Sequence, residues 1–458
     1  MADPGVTSVV NRIIDLFSGA FTALGAGVSM RDIESLAAFV HHSMDDGRRR
    51  YHRSSHLLDL SPGLNPHQTL AALFHDVVYC QVDGGLTRRA QPILSPLLVI
   101  ESDGFSLKPS SAKDRLVAMC LDLFRFKPGQ ELPVFDGMNE FLSAVVAVRL
   151  LDPYLPLVDL LVVAATIEAT IPFRGETVDG KDPFVARAEK LAEVASSVGE
   201  ELSPRDVDRI MRDAVELANR DVASFSEADP GRFLASTWLL IEESNAPLSA
   251  VGVYSVRDYR EALVRMEVSL RDLDPDHVFH CYDGVPNADS LASLRSAARK
   301  NVAFACDYLG VKILGIVIIE ALTLISGGDC PVSMMLGDIH GYGGKPQRVE
   351  DFLPPVSTGP GSKVDPDLIR VLREGRAWES GADLNTSPLS AFVYESLGEE
   401  RSCSALANVK RMIAEVLSPL DFLRTLDQDL VRGIIEACVP IAVSRRARLK
   451  ALTLEFLD

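Results

Sequence analysis

Apolar residues recur at helical intervals along most of this chain. Ile33, Leu36, Ala37, Val40 and Met44 share one side of a helix that begins near Asp32. Leu70, Leu73, Phe74 and Val77 form the stripe of a second helix, for which Asn65 is the expected N-cap and Pro66 the first helical residue. A third starts at Ser203-Pro204 and carries Val207, Met211, Ala214, Ala218 and Phe225 on one face. Asp221 lies on that same face, where a carboxylate costs several kcal/mol unless it meets a cation. Helical patterns also cover 114–126, 258–273, 289–309, 409–416 and 430–443. The runs Tyr154 to Ile171 and Tyr308 to Ile325 are apolar enough to raise the question of a membrane. Each is interrupted by charge (Asp159 and Glu168; Lys312 and Glu320), which suits a buried core helix better than lipid. The expected fold class is all-α.

Breaks in the pattern suggest the domain order. Gln81 to Thr87 and Pro128 to Gly137 read as loops, and glycine and proline become dense from Gly327 to Lys363, as in a linker. The expected division is a helical domain over 1–225, a helical extension over 226–330, a Gly/Pro-rich linker over 331–364 and a C-terminal helical region over 365–458. A length of 458 residues favours two to three domains.

Composition narrows the function classes. Apolar content of 47% describes a globular protein, and the formal charge of −18 argues against non-specific binding to nucleic acid or an anionic membrane. An anionic substrate would need a local positive site. The seven cysteines contain no Cys-x-x-Cys, so a thiolate zinc site and a disulfide framework are not indicated, and a reducing, cytoplasmic setting is expected. The N-terminal sequence lacks the features of a signal peptide.

The candidate chemistry sits between Tyr51 and Tyr79. His52 and His56 are spaced i, i+4, so on one helix both imidazoles face the same way. His75 and Asp76 are adjacent near the end of the next helix, about 100° apart around its axis. An ion between them can take a nitrogen from one and an oxygen from the other.

The Arg49-x-Tyr51-His52-x-x-x-His56 string followed by the embedded His75-Asp76 pair resembles the HD-domain superfamily, particularly its predicted metal-dependent phosphohydrolases, over about the first half of the chain. The resemblance implies an HD-like helical core in which His52 or His56, His75, Asp76 and a late aspartate, Asp221, hold a divalent ion: Mn, Fe, Ni, Co or Mg. The histidine of the pair that does not bind would be a hydrogen-bond partner or a proton donor. An Asn-Glu-x-x-Ser-Ala string also follows the His-Asp pair in that family, and it places Glu140 near the active centre. Asn139 and Glu140 are equally an ordinary helix start. Arg48, Arg49, Arg50 and Arg174 are candidate clamps for a phosphate. The implied activity is hydrolysis of a nucleotide or other small phosphate ester through a metal-bound water.

One departure matters. Where the family carries Thr-x-x-His, this sequence has Thr170-Ile171-Pro172-Phe173, which favours a single-metal or degenerate site. A catalytically weak binding or scaffold protein therefore stays open, as does an HD-type oxygenase with two irons. Membrane association is not expected; a homo-oligomer is possible. Three further motifs carry less. Gly337-Asp338-Ile339-His340-Gly341 resembles the first motif of calcineurin-like metallophosphoesterases, but no partner motifs follow. His277 and His280 lie among turn signals, and the Arg445-Arg446-Ala447-Arg448-Leu449-Lys450 run is either a docking surface or a solvated helix face.

Overall fold

The computed structural model describes residues 8–45, 47–101, 104–134, 136–338, 346–356 and 363–456. Among these the fold is all-α: twenty α-helices and one two-stranded antiparallel sheet. The chain divides into two compact units, 1–226 with 274–298, and 227–273 with 299–458. The extension expected over 226–330 is thus divided, because 274–298 fold with the N-terminal unit.

The first unit contains α1 (Val9–Ala23), α2 (Met30–Met44), α3 (Ser54–Leu60), α4 (Pro66–Phe74), α5 (Cys80–Asp83), α6 (Gln91–Leu94), α7 (Arg115–Phe124), α8 (Met138–Leu151), α9 (Leu157–Ala169), α10 (Pro183–Val198) and α11 (Pro204–Asp221). Between α6 and α7 the strands β1 (Leu98–Ile100) and β2 (Phe105–Leu107) form a hairpin, which the periodicity did not suggest. Helix α9 is the centre. Every residue from Leu160 to Ala169 is buried, and the helix packs against α4, α7, α8, α10 and α11. A helix that is apolar on all sides must be enclosed by others. Full burial of side chains such as Leu160, Leu161, Val163 and Ile167 contributes about 1.5–3 kcal/mol each. Enclosure of α9 brings the C-terminal ends of α4 and α11 into one body with the start of α8.

The second unit holds α12 (Pro230–Ser244), α13 (Val256–Asp272), most of α14 (Ala288–Ser326), α15 (Ser333–Leu336), α16 (Pro366–Glu374), α17 (Pro388–Ile413), α18 (Pro419–Arg424), α19 (Gln428–Cys438) and α20 (Arg446–Thr453). Helix α17 is broken at Gly398, whose φ of 73° lies where glycine alone is unstrained. The two patterns at 289–309 and 308–325 are one 39-residue helix, α14. It is long and apolar enough to cross a membrane, and 89% of its most apolar window is buried within the protein. Its Lys312 ammonium meets Asp383 at 2.9 Å and faces the Trp238 ring, which also carries Arg376 at 3.8 Å.

One expectation changes here. The described parts of the 331–364 linker are packed, since α15 forms and Met335 and Val349 are buried. Residues 339–345 and 357–362 lie outside the described residues, and with them most of the Gly337-to-Gly341 motif. The basic run is largely a solvated helix face, with Arg446, Arg448 and Lys450 exposed, and Arg445 is its buried member. Arg445 Nη1 donates to the Thr323 and Gly328 carbonyls at 2.8 and 2.6 Å, and Arg448 Nη1 to Ser326 O at 3.0 Å. These are carbonyls at the open end of α14, where cations are favoured.

Candidate metal centre

Local sequence determines where each donor stands. Asn65 and Gln68 form a reciprocal capping box at the start of α4 (Gln68 N to Asn65 Oδ1, 3.0 Å; Asn65 N to Gln68 Oε1, 2.9 Å), with Pro66 at the first helical position. The helix stops at Phe74. His75 is its C-cap and Asp76 lies in the following turn, so the pair stands past the end of the helix and not along its face. Helix α3 begins only at Ser54, because Arg53 is extended. His56 is therefore helical and His52 is not, which removes the shared helical face expected for the two. Asp221 is the last residue of α11, whose stripe is buried as its period requires.

Four of these side chains converge. The ligand atoms of His56, His75, Asp76 and Asp221 all lie within 4.8 Å of one another. His56 Nε2 is 2.9 Å from Asp221 Oδ1, and His75 Nε2 is 2.9 Å from Asp76 Oδ2 and 3.3 Å from Asp221 Oδ1. Donors around one ion at bond lengths of about 2.1 Å stand about 3.0–3.4 Å apart in octahedral or tetrahedral arrangements. His52 stays outside this group, with its ring 6.0 Å from that of His56 and 4.7 Å from that of Tyr79.

The chemistry of His75 supplies the fit test. Its Nδ1 lies 2.8 Å from the Ala72 carbonyl, a contact only a protonated nitrogen can make. In the neutral ring this leaves the lone pair on Nε2, the usual arrangement of a metal-binding histidine. Nε2 is buried and, despite its closeness to two carboxylates, sits at angles that satisfy no hydrogen bond. A nitrogen base facing two carboxylates takes up either a proton or a metal ion, and the mixed nitrogen and oxygen set suits a divalent ion. The proton affinities show how strongly the two carboxylates favour positive charge on this ring. Burial opposes a charged His75, but Asp76 and Asp221 outweigh it and hold its pKa well above the ordinary value. Burial likewise opposes the charged carboxylates, and the histidines overcome it, holding both far below the usual range.

The surroundings fix the turn that carries Asp76. Arg49, expected as a phosphate clamp, is buried and pairs with Asp83 through Nε at 2.9 Å and Nη2 at 2.7 Å; its Nη1 donates to the Asp76 carbonyl at 2.5 Å. Arg48 donates to Asp83 O and Arg50 to Gly47 O. Asn139 and Ser143, one turn apart on α8, accept the amides of Cys80 and Val78 at 3.1 Å each. The Asn-Glu-x-x-Ser string is thus a splint for the chain after His75-Asp76; the N-cap of α8 is Gly137, not Asn139. Glu140 between them has its pKa pushed up to about 7, chiefly by burial and further by Asp76. Sequence reasoning missed Asp83, whose only local signal is an acidic residue before a Gly-Gly turn.

Arg174 pairs with Glu168 at 2.7 Å and Asp136 at 3.3 Å. Phe173 occupies the position of the expected histidine with a left-handed φ of 60° and packs on Phe225, ring centres 5.4 Å apart. His277 and His280 belong to no metal-ligating group among the described residues. The His280 backbone N–H instead donates to Asn219 Oδ1 at 2.9 Å, and its ring lies against Phe184.

The described residues thus define an all-α protein with a largely buried group of two histidines and two aspartates. Comparison with family models, curated proteins and solved structures gives no match.

Proposed function

We propose that the chain is a metal-dependent phosphohydrolase of HD-domain type, acting on a nucleotide or other small phosphate ester, with His56, His75, Asp76 and Asp221 as the ligands of one divalent ion. The observation that carries this reading is the buried His75 Nε2, facing two carboxylates with its other nitrogen committed to Ala72 O. When bound, such an ion supplies Lewis acidity toward a water and a phosphoryl oxygen. The chain's own contribution is positional. Arg49 and Asp83 hold the Asp76 backbone, Asn139 and Ser143 hold the segment behind it, and Ala72 O fixes the His75 tautomer. Glu140, with a pKa of about 7, exchanges its carboxyl proton near neutrality, as a general acid or base must. His52, outside the ligand group, keeps the role of proton donor or hydrogen-bond partner. A single ion is favoured over the two irons of an oxygenase because Phe173 supplies no further ligand.

The test is elemental analysis of the purified full chain beside Asp221→Asn and His75→Ala, with a nucleotide and phosphate-ester panel assayed in several divalent ions. About one ion per chain and phosphate release are expected, both lost in the variants while far-ultraviolet dichroism is retained. Unchanged metal content in both variants defeats the proposal.

A further inference from the structure

A cavity of about 510 Å³ opens in the first unit beside α7, α9 and α10, and none of the four clustered residues lines it. That volume falls in the range that encloses a small organic ligand. Its walls include Phe126, Leu191 and Met211, and its charged lining sets four cations, Arg125, Arg174, Arg187 and Lys190, against three carboxylates, Asp136, Glu168 and Glu176. Only one lining carboxylate is buried. Glu168 is gripped from two sides, by Arg187 Nε at 2.6 Å and Arg174 Nη1 at 2.7 Å, whereas the Asp136 side chain is 72% exposed. Two guanidiniums share one carboxylate. Arg125 is anchored to Ala186 O at 3.0 Å; burial first, and then Arg174 and Arg125, disfavour the charge of Arg187, while Glu168 supports it.

In a chain of net charge −18, a concave site whose four cations outnumber its three carboxylates, two of them exposed, favours an anion locally; Lys190 also pairs with Glu193 at 3.1 Å. Guanidinium forks match the oxygens of a phosphate, and the apolar wall matches the body that carries it. We propose that this cavity binds a small organic phosphate, with the phosphoryl group at Arg125, Arg174, Arg187 and Lys190 and the organic part against Phe126 and Met211. The site stands on the lining alone and does not require the metal-centre reading.

The experiment is isothermal titration calorimetry of the full chain after chelator treatment, with inorganic phosphate, adenosine monophosphate and benzoate as probes. Adenosine monophosphate should bind saturably, with Kd below about 1 mM, more tightly than inorganic phosphate, and benzoate should bind weakly. Arg125→Gln and Lys190→Gln change rim positions that leave the Glu168 pairs intact, and each should weaken adenosine monophosphate by about tenfold, the loss of one charge-assisted hydrogen bond. The absence of binding to the wild-type chain, or affinity untouched by both variants, overturns the proposal. Benzoate binding as tightly as adenosine monophosphate overturns the phosphate assignment. Binding that appears only with added divalent ion places the ligand at the metal centre and overturns the separate site, whereas a failed metal centre leaves it standing.

Discussion

Replacing Asp83 by alanine tests the support of the candidate centre without touching a ligand. The Arg49 and Asp83 side chains are 0% and 1% exposed, and the variant strands a guanidinium in the dry interior. Removing one partner of a buried pair costs about 3–5 kcal/mol, most of it the desolvation of the charge left behind. Domain stabilities are about 5–15 kcal/mol, so the first unit would lose a large share of its margin. At about 2–4 °C per kcal/mol for a domain of 150–250 residues, the midpoint should fall by about 6–20 °C. Arg49→Met combined with Asp83→Leu removes both charges and should recover part of that loss. Arg49→Met alone also releases the Asp76 carbonyl, so it should weaken metal retention more than Asp83→Leu at equal stability. Differential scanning calorimetry with metal analysis on the four variants measures both effects. A loss below about 1 kcal/mol for Asp83→Ala, or a double variant no better than the sum of the singles, would refute the reasoning.

Three further outcomes are expected. Burial first, then Arg187, lowers the His280 pKa to about 4, so its neutral form is the one the fold holds. Its contribution, about 3 kcal/mol at most, is complete above pH 6.5 and is lost as pH falls toward 4; urea titrations between pH 7.5 and 4.5 should show a shallower decline for His280→Gln, and an equal decline contradicts this. Arg445→Ala should cost the second unit about 1–3 kcal/mol by removing the guanidinium donor to the Gly328 carbonyl, read as a lower midpoint that Arg445→Lys partly restores. If phosphate-ester turnover is found, its rate should bend near pH 7 with the Glu140 carboxyl, and Glu140→Gln should remove that bend.

Helical period alone located α2, α4 and α11 and the buried face that carries Asp221, because a stripe of apolar residues has few other ways to be covered. The four donors were all named from spacing and resemblance. Their placement was less legible. An extended Arg53 starts α3 two residues after His52, and α4 ends one residue before His75; such boundaries depend on tertiary packing that local propensity does not encode. The role of Arg49 was misjudged for the same reason. Its partner Asp83 is 34 residues away, and a buried pair at that separation leaves no local pattern. In the 331–364 segment Met335 and Val349 are buried despite the surrounding glycines and prolines, while Phe352, Pro354 and Pro355 stay exposed.

The ends of two helices also set an order of events. Asp76 follows the last turn of α4 and Asp221 closes α11, so both rows of peptide dipoles present their negative poles to the same few cubic ångströms. An empty centre of this kind repels a phosphoryl group and welcomes a cation. If the centre holds the divalent ion proposed above, ligation should proceed ion first and ester second, because the ion's two positive charges cancel those of the two carboxylates.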